Sequence, residues 1–254
     1  MQLSIITVNY NNLEGLKKTF ESVFIQEEKK FEFIIIDGGS TDGSRDFIES
    51  NQTKLNYWLS ERDGGIYNAM NKGIKVAKGK YLLFLNSGDE LYSKNVLGYF
   101  KSYKEDLIYF DVNFQNRTSS FIHKYPIKLT FNYFLKYSLP HQGTLIKRDL
   151  FSTVGLYRET YKICSDWAFF IDTIFRFGGT YKKVSKIFAK LDRDGISCDP
   201  NNLKWIENER MHFLNENYKN ENLVYIEEHL PTEKKRNILN RTVTKLFKKA
   251  LRNK

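Results

Sequence analysis

The sequence predicts an α/β fold, a mostly parallel sheet with helices on both faces, followed by a helical C-terminal extension. Two observations carry this. Strand and helix signals alternate through the first hundred residues. The strand segments are continuous apolar runs rather than polar–apolar alternations, as expected when both faces of a sheet are covered.

Residues 3–8 read as a buried strand, and Leu13, Leu16, Phe20, Val23 and Phe24 then fall on one helix face. A second strand over 31–36 ends in the turn sequence Asp37-Gly38-Gly39-Ser40-Thr41-Asp42-Gly43. Phe47 and Ile48 mark a short helix and 57–59 a third strand. Ile66, Met70, Ile74 and Ala77 give the next helix face, and 81–85 the fourth strand. Beyond it, 107–114 reads as a strand, 129–137 and 164–177 as helices, and 180–185 as a return to the sheet. No Gly-, Pro- or Ser-rich linker and no repeat interrupts the chain, so one domain over 1–200 and a helical extension over 201–254 are expected.

At 41% hydrophobic and 28% charged residues, wholesale disorder is excluded. No apolar run approaches the roughly 18 residues of a membrane-spanning helix. The start, Met1-Gln2-Leu3-Ser4, lacks the basic region of a secretory leader. Cys164 and Cys198 form no C-x-x-C pair, which predicts a reducing, cytoplasmic compartment, and the scattered histidines predict no zinc site.

The net charge of +10 is unevenly distributed. Residues 233–254 hold nine Lys/Arg and one Glu, so the remaining 232 residues have a net charge of only +2. In that tail Leu239, Val243, Leu246 and Ala250 share one helix face. A basic amphipathic helix of this kind suits an anionic lipid surface; packing on the body or on a second subunit is the other reading. No nucleic-acid recognition motif accompanies the charge.

Ligands of open α/β sheets bind beyond the carboxyl ends of the strands. There the sequence places Asn9, Asp37, Glu61 and Asp63, then Asn86, Ser87, Gly88 and Asp89. Such a convergence of oxygen ligands suits a hard cation, Mg²⁺ or Mn²⁺, bridged to phosphates. No P-loop and no G-x-G-x-x-G is present, so the expectation is a metal–diphosphate site for a nucleotide outside those two classes.

Four segments in order resemble family 2 glycosyltransferases: 5–11 (Ile-Ile-Thr-Val-Asn-Tyr-Asn), the 37–43 turn, 63–73 (Asp-Gly-Gly-Ile-Tyr-Asn-Ala-Met-Asn-Lys-Gly) and 85–89 (Leu-Asn-Ser-Gly-Asp). The resemblance is dense over 3–90, thinner over 140–170 and absent beyond about 200. It implies a GT-A-type, Rossmann-like fold and an inverting enzyme that uses a nucleotide-sugar donor. By it, Thr7 and Asn9 would line the base and ribose pocket, Asp37 would hold the nucleoside, Asp63 would lie near it, and Lys72 would approach the diphosphate. The family's D-x-D metal motif begins here with Ser87, leaving Asp89 as the principal ligand for Mn²⁺ or Mg²⁺. Asp166, in Ser165-Asp166-Trp167, matches the position of the catalytic base, and His141 lies in an acceptor- or phosphate-side segment.

Each of these residues also has a plainer local role, since Asp, Ser and Thr cap helices and an acid in a first helical turn suits the dipole. The resemblance and the tail together predict transfer of a single sugar from a UDP-sugar, or a GDP- or dTDP-sugar, to a lipid-linked or saccharide acceptor at the inner membrane face during bacterial surface-polysaccharide assembly. No QxxRW motif of the processive members is present. The rival readings are a sugar nucleotidyltransferase and a non-enzymatic membrane- or nucleic-acid-binding protein.

Overall fold

The computed structural model describes residues 2–218 except 101, 117, 193, 194, 196 and 197. The tail over 233–254 and most of the 192–197 segment lie outside the described residues.

The first half contains β1 (Leu3–Asn9), α1 (Leu13–Phe24), β2 (Phe31–Asp37), α2 (Ser44–Ser50), β3 (Tyr57–Ser60), α3 (Ile66–Val76), β4 (Tyr81–Phe84) and the two-residue β5 (Glu90–Leu91). The second half adds β6 (Leu107–Gln115), β7 (Ser120–His123), α4 (Phe131–Lys136), β8 (Thr144–Lys147), α5 (Leu150–Thr153), α6 (Ser165–Ile171), β9 (Tyr181–Asp192) and α7 (Leu203–Asn217). The helix expected over 164–177 is α6 followed by a π-helical turn, Asp172–Arg176. Strands β5 and β7 and helix α5 have no signal in the sequence because each is too short to show a period.

The strands order as β3-β2-β1-β4-β8-β6-β9-β5, with β7 paired to β6. Strands β1 to β4 are mutually parallel, β8 is reversed, and β6 and β9 run with β1 again. Strand β1 sits between β2 and β4, so the order reverses there and opens a crevice at their carboxyl ends. Both faces are covered. Phe20 and Phe24 of α1 pack on Phe33 of β2, while α3 crosses the opposite face at Gly73, where any side chain would strike Ile6.

The crevice is built locally by side chains that bond backbone. Asn12 caps α1 by accepting from the Gly15 amide, and Asp42 accepts from the amides of Leu13 and Ser44, tying two helix starts together. Gly43 takes φ +93°, a left-handed conformation open to glycine at little cost. The helix expected beyond residue 200 is α7, which packs on the domain: Phe213 is fully buried against Trp167 and Tyr218.

Candidate active site

At the ends of β1 and β2 a cavity of about 490 Å³ is lined by Val8, Asn9, Tyr10, Gly38, Arg62 and Asp63, among others. A Cβ at Gly38 would lie 2.8 Å from Asp63 Oδ2 and 3.2 Å from the Tyr10 ring, so a side chain there would push the Asp63 carboxylate aside. The Asp63 carboxylate is oriented by the Gly65 amide, which donates to Oδ1 at 2.8 Å. Tyr10 is 69% exposed at the mouth, an aromatic face open to a flat ligand. Residue-type reasoning passed over Tyr10, because an exposed ring leaves no trace in periodicity.

Three expected binding residues stand elsewhere. Asp37 is fully buried and accepts from Asn9 Nδ2 (2.7 Å), the Ser40 amide (2.9 Å), Ser40 Oγ (2.5 Å) and Ser60 Oγ (2.7 Å). Burial alone would raise its pKa, but these donors outweigh it and hold the carboxyl below its ordinary value. Asp37 therefore fastens β1, β3 and the intervening turn and does not face the cavity. Thr7 is likewise buried, its hydroxyl donating to Leu85 O at 2.8 Å. Lys72 pairs with Glu61 at 2.8 Å and lines neither cavity. Asn9 does line the cavity edge, though its amide is committed to Asp37 and Ser40.

Asn12, Ile66, Asn86 and Ser87 form a wall shared with a second cavity of about 620 Å³. Here a chain of side chains runs from β4 to α6. His141 Nδ1 donates to Asp166 Oδ2 at 3.0 Å, and Asn86 Nδ2 donates to His141 Nε2 at 3.1 Å. The Tyr67 hydroxyl donates to Asp166 Oδ1 at 2.9 Å and is also 2.6 Å from Ile163 O. Burial first, then the Asp166 charge, hold the Tyr67 phenol well above its ordinary pKa, so it remains a donor. A carboxylate offers about four lone-pair sites; two are used here, and two remain for a substrate hydroxyl. His141 itself stands edge-on to Phe84, over the aromatic cluster of Phe84, Phe151, Tyr157 and Phe169. Tyr67 and Asn86 lie inside recognisable motifs, yet their bonds to residues 55 and 99 positions away are invisible in sequence.

The oxygen set for a cation lies on the shared wall. Asp89 is buried, accepting from Gln142 Nε2 at 2.9 Å and the Asp192 amide at 3.2 Å. Its pKa is pushed up to about 6 by burial, with Gln142 and His141 working the other way. Beside it, Ser87 Oγ and Asn86 Oδ1 are buried oxygens without a hydrogen-bond partner. Among the described residues no three His, Cys, Asp or Glu side chains converge as a metal cluster. One carboxylate and two orphaned neutral oxygens fit a hard divalent ion only when a ligand's phosphates complete its shell.

The far wall comes from the segment before α6 and from α7. Glu209 of α7 accepts from three successive amides, Lys162 (2.6 Å), Ile163 (3.0 Å) and Cys164 (2.9 Å), fixing the entry to the helix that carries Asp166.

The sheet carries two adjoining cavities at the carboxyl ends of its strands, an arrangement of the GT-A kind. The model of the family "Glycosyl transferase family 2" matches residues 4–162, and the chain belongs to that family. The PGL/p-HBAD biosynthesis glycosyltransferase of Mycobacterium tuberculosis (strain ATCC 25177 / H37Ra) is 32% identical over 175 residues, covering 65% of this chain and 67% of the relative. Among solved structures, S. aureus TarS 1-349 in complex with UDP superimposes with a TM-score of 0.67 at 19% identity, over 89% of this chain and 69% of that one. The mannosyltransferase PcManGT from Pyrobaculum calidifontis, in complex with GDP-Man and Mn²⁺, gives 0.59 at 13% identity, over 84% and 61%. Family membership decides against the nucleotidyltransferase and non-enzymatic readings. Among the described residues no helix is long and apolar enough to cross a membrane.

Proposed function

We infer that the protein transfers a single sugar, with inversion, from a nucleoside-diphosphate sugar to an acceptor hydroxyl in the assembly of a cell-surface glycan. The observation that carries this reading is the Asn86–His141–Asp166–Tyr67 chain, set in a cavity that shares a wall with a nucleoside-sized one.

The nucleoside lies against Tyr10 with Asp63 beside it, and the diphosphate crosses the Ser87–Asp89 wall. Asp166 takes the proton of the acceptor hydroxyl as its oxygen attacks the anomeric carbon. The C–O bond to the nucleoside diphosphate breaks from the opposite side, which inverts the centre. His141 and Tyr67 hold the carboxylate at the angle this needs, and such a base contributes roughly 10²–10⁴ in rate. Asp89, with Ser87 and Asn86, would hold Mn²⁺ or Mg²⁺, which when bound supplies positive charge to the departing diphosphate.

A UDP-sugar is the favoured donor, with GDP- and dTDP-sugars as alternatives; the TarS neighbours contain UDP and UDP-GlcNAc, and PcManGT contains GDP-Man. A lipid-linked saccharide is the proposed acceptor, supported by the basic stripe of residues 233–254, and the protein would work at the inner membrane face. A panel of UDP-, GDP- and dTDP-sugars, each with Mn²⁺, tests the reading through slow donor hydrolysis and thermal shift. It expects one class to be hydrolysed and to raise the melting temperature; no response to any nucleotide would overturn it. Deleting 233–254 should abolish sedimentation with anionic liposomes; unchanged sedimentation would remove the tail from membrane binding.

A further inference from the structure

The far end of the larger cavity holds two cations that the transfer chemistry leaves unused. Arg210 of α7 lies over the Trp167 ring, its Cζ 5.0 Å from the centroid, and its buried Nε has no hydrogen-bond partner. Lys162 lies over Trp205, its Nζ 3.6 Å from the centroid. Both line the cavity that contains Asp166 and His141, and neither lines the nucleoside cavity.

Forty-eight positions apart in sequence, the two line one cavity, and one clamp ties the segments that carry them. Glu209, the neighbour of Arg210, accepts from the backbone amide of Lys162. Glu209 commits three of its lone-pair directions to the amides it accepts from, and among the described residues neither cation forms an ion pair with a carboxylate. The Cys164 thiol hydrogen-bonds Arg210 but, pushed up to about 12 by burial, stays neutral and gives it no opposite charge. Stacking on an indole orients a guanidinium without using its N–H donors, so Arg210, apart from its contact with the Cys164 thiol, keeps donors open to an anion, the unpartnered Nε among them. The lining of the same cavity also includes the apolar side chains of Leu139, Ile163, Leu191, Ile206 and Phe114.

We propose that Arg210 and Lys162 form an anion subsite for a phosphate or diphosphate carried by the acceptor itself, so that the substrate is a phosphate-linked amphiphile. This rests on the transferase reading above and specifies its acceptor. The phosphate does not react: it anchors the acceptor while Asp166 receives the proton of a nearby hydroxyl, and the apolar lining takes the first part of the hydrocarbon chain. The other source of the same chemistry is the donor's own diphosphate, and the test separates the two.

The experiment titrates decyl diphosphate into the full-length protein saturated with UDP and Mn²⁺, by calorimetry, with decyl maltoside as the uncharged control. Decyl diphosphate should bind with UDP in place and decyl maltoside should not. Arg210→Gln and Lys162→Met should each weaken decyl diphosphate roughly tenfold or more, the expected scale for a charge-assisted hydrogen bond, and leave UDP affinity unchanged. Arg210→Lys, which keeps the charge but not the fork, should fall between the unchanged protein and Arg210→Gln. If UDP itself does not bind, the transferase reading fails. If UDP binds and decyl diphosphate does not, or the variants leave its affinity intact, the subsite is wrong. If Arg210→Gln weakens UDP instead, the cation belongs to the donor and the proposal is overturned.

Discussion

Glu209 and Cys164 meet at 2.9 Å, a carboxylate on the last described helix accepting an amide one residue before α6 begins. Two further amides join the same carboxylate, so the position of Asp166 depends on a helix some forty residues later in the chain. The segment after residue 200 carries no motif, yet it sets the geometry of the one that does.

That dependence can be measured through packing. Phe213→Ala should cost about 3–5 kcal/mol, the usual range for emptying a fully buried aromatic site. In a chain of this size the melting temperature should then fall by on the order of 10 °C. A loss below about 1 kcal/mol would mean that α7 is not part of the cooperative unit.

Asp166→Asn should lower turnover on the order of 10²–10⁴-fold with UDP affinity within about twofold. Single-turnover kinetics beside calorimetry separates the two quantities. Equal losses in both would take Asp166 out of the base role.

His141 touches the base and not, in this arrangement, the bond that breaks. His141→Asn should therefore reduce turnover roughly tenfold to a hundredfold through misorientation of Asp166, while donor KM holds. Unchanged turnover would reduce His141 to packing against Phe84.

Asp89 gives opposite signs for stability and function. Its folded pKa of about 6 exceeds the ordinary 3.8, so its contribution to stability is complete below 3.8 and is lost as the pH rises through 6. Above that, the buried charge costs on the order of 3 kcal/mol. Asp89→Asn should accordingly raise the metal-free melting temperature at pH 7.5 while weakening Mn²⁺-dependent UDP binding. In the native protein that binding should weaken as the pH falls below about 6. A variant with intact Mn²⁺ dependence would show that the ligand lies elsewhere.

Tyr10→Ala should reduce UDP affinity by about 1–3 kcal/mol, the range for removing a ring on which a base stacks. Unaltered affinity would leave Tyr10 a bystander at the cavity mouth.

The sequence by itself determined the succession of strands and helices in the first half, because buried parallel strands and amphipathic helices write their periods directly into residue order. It also pointed to the strand ends, where the structure gathers Asp63, Ser87, Asp89, His141 and Asp166 around two adjoining cavities. Which carboxylates face a ligand was a different matter. Asp37 and Asp63 are both strand-end acids in glycine-rich turns, and only the tertiary structure separates them, because Asp37 meets four donors from three segments while Asp63 meets one. The same holds for Arg210, Glu209 and Tyr67. Their roles rest on contacts across 43 to 99 positions, and neither the period of a helix nor the spacing of a motif reaches that far. Local patterns record which face of an element is buried; only the folded chain decides which polar groups are already satisfied and which still await a partner.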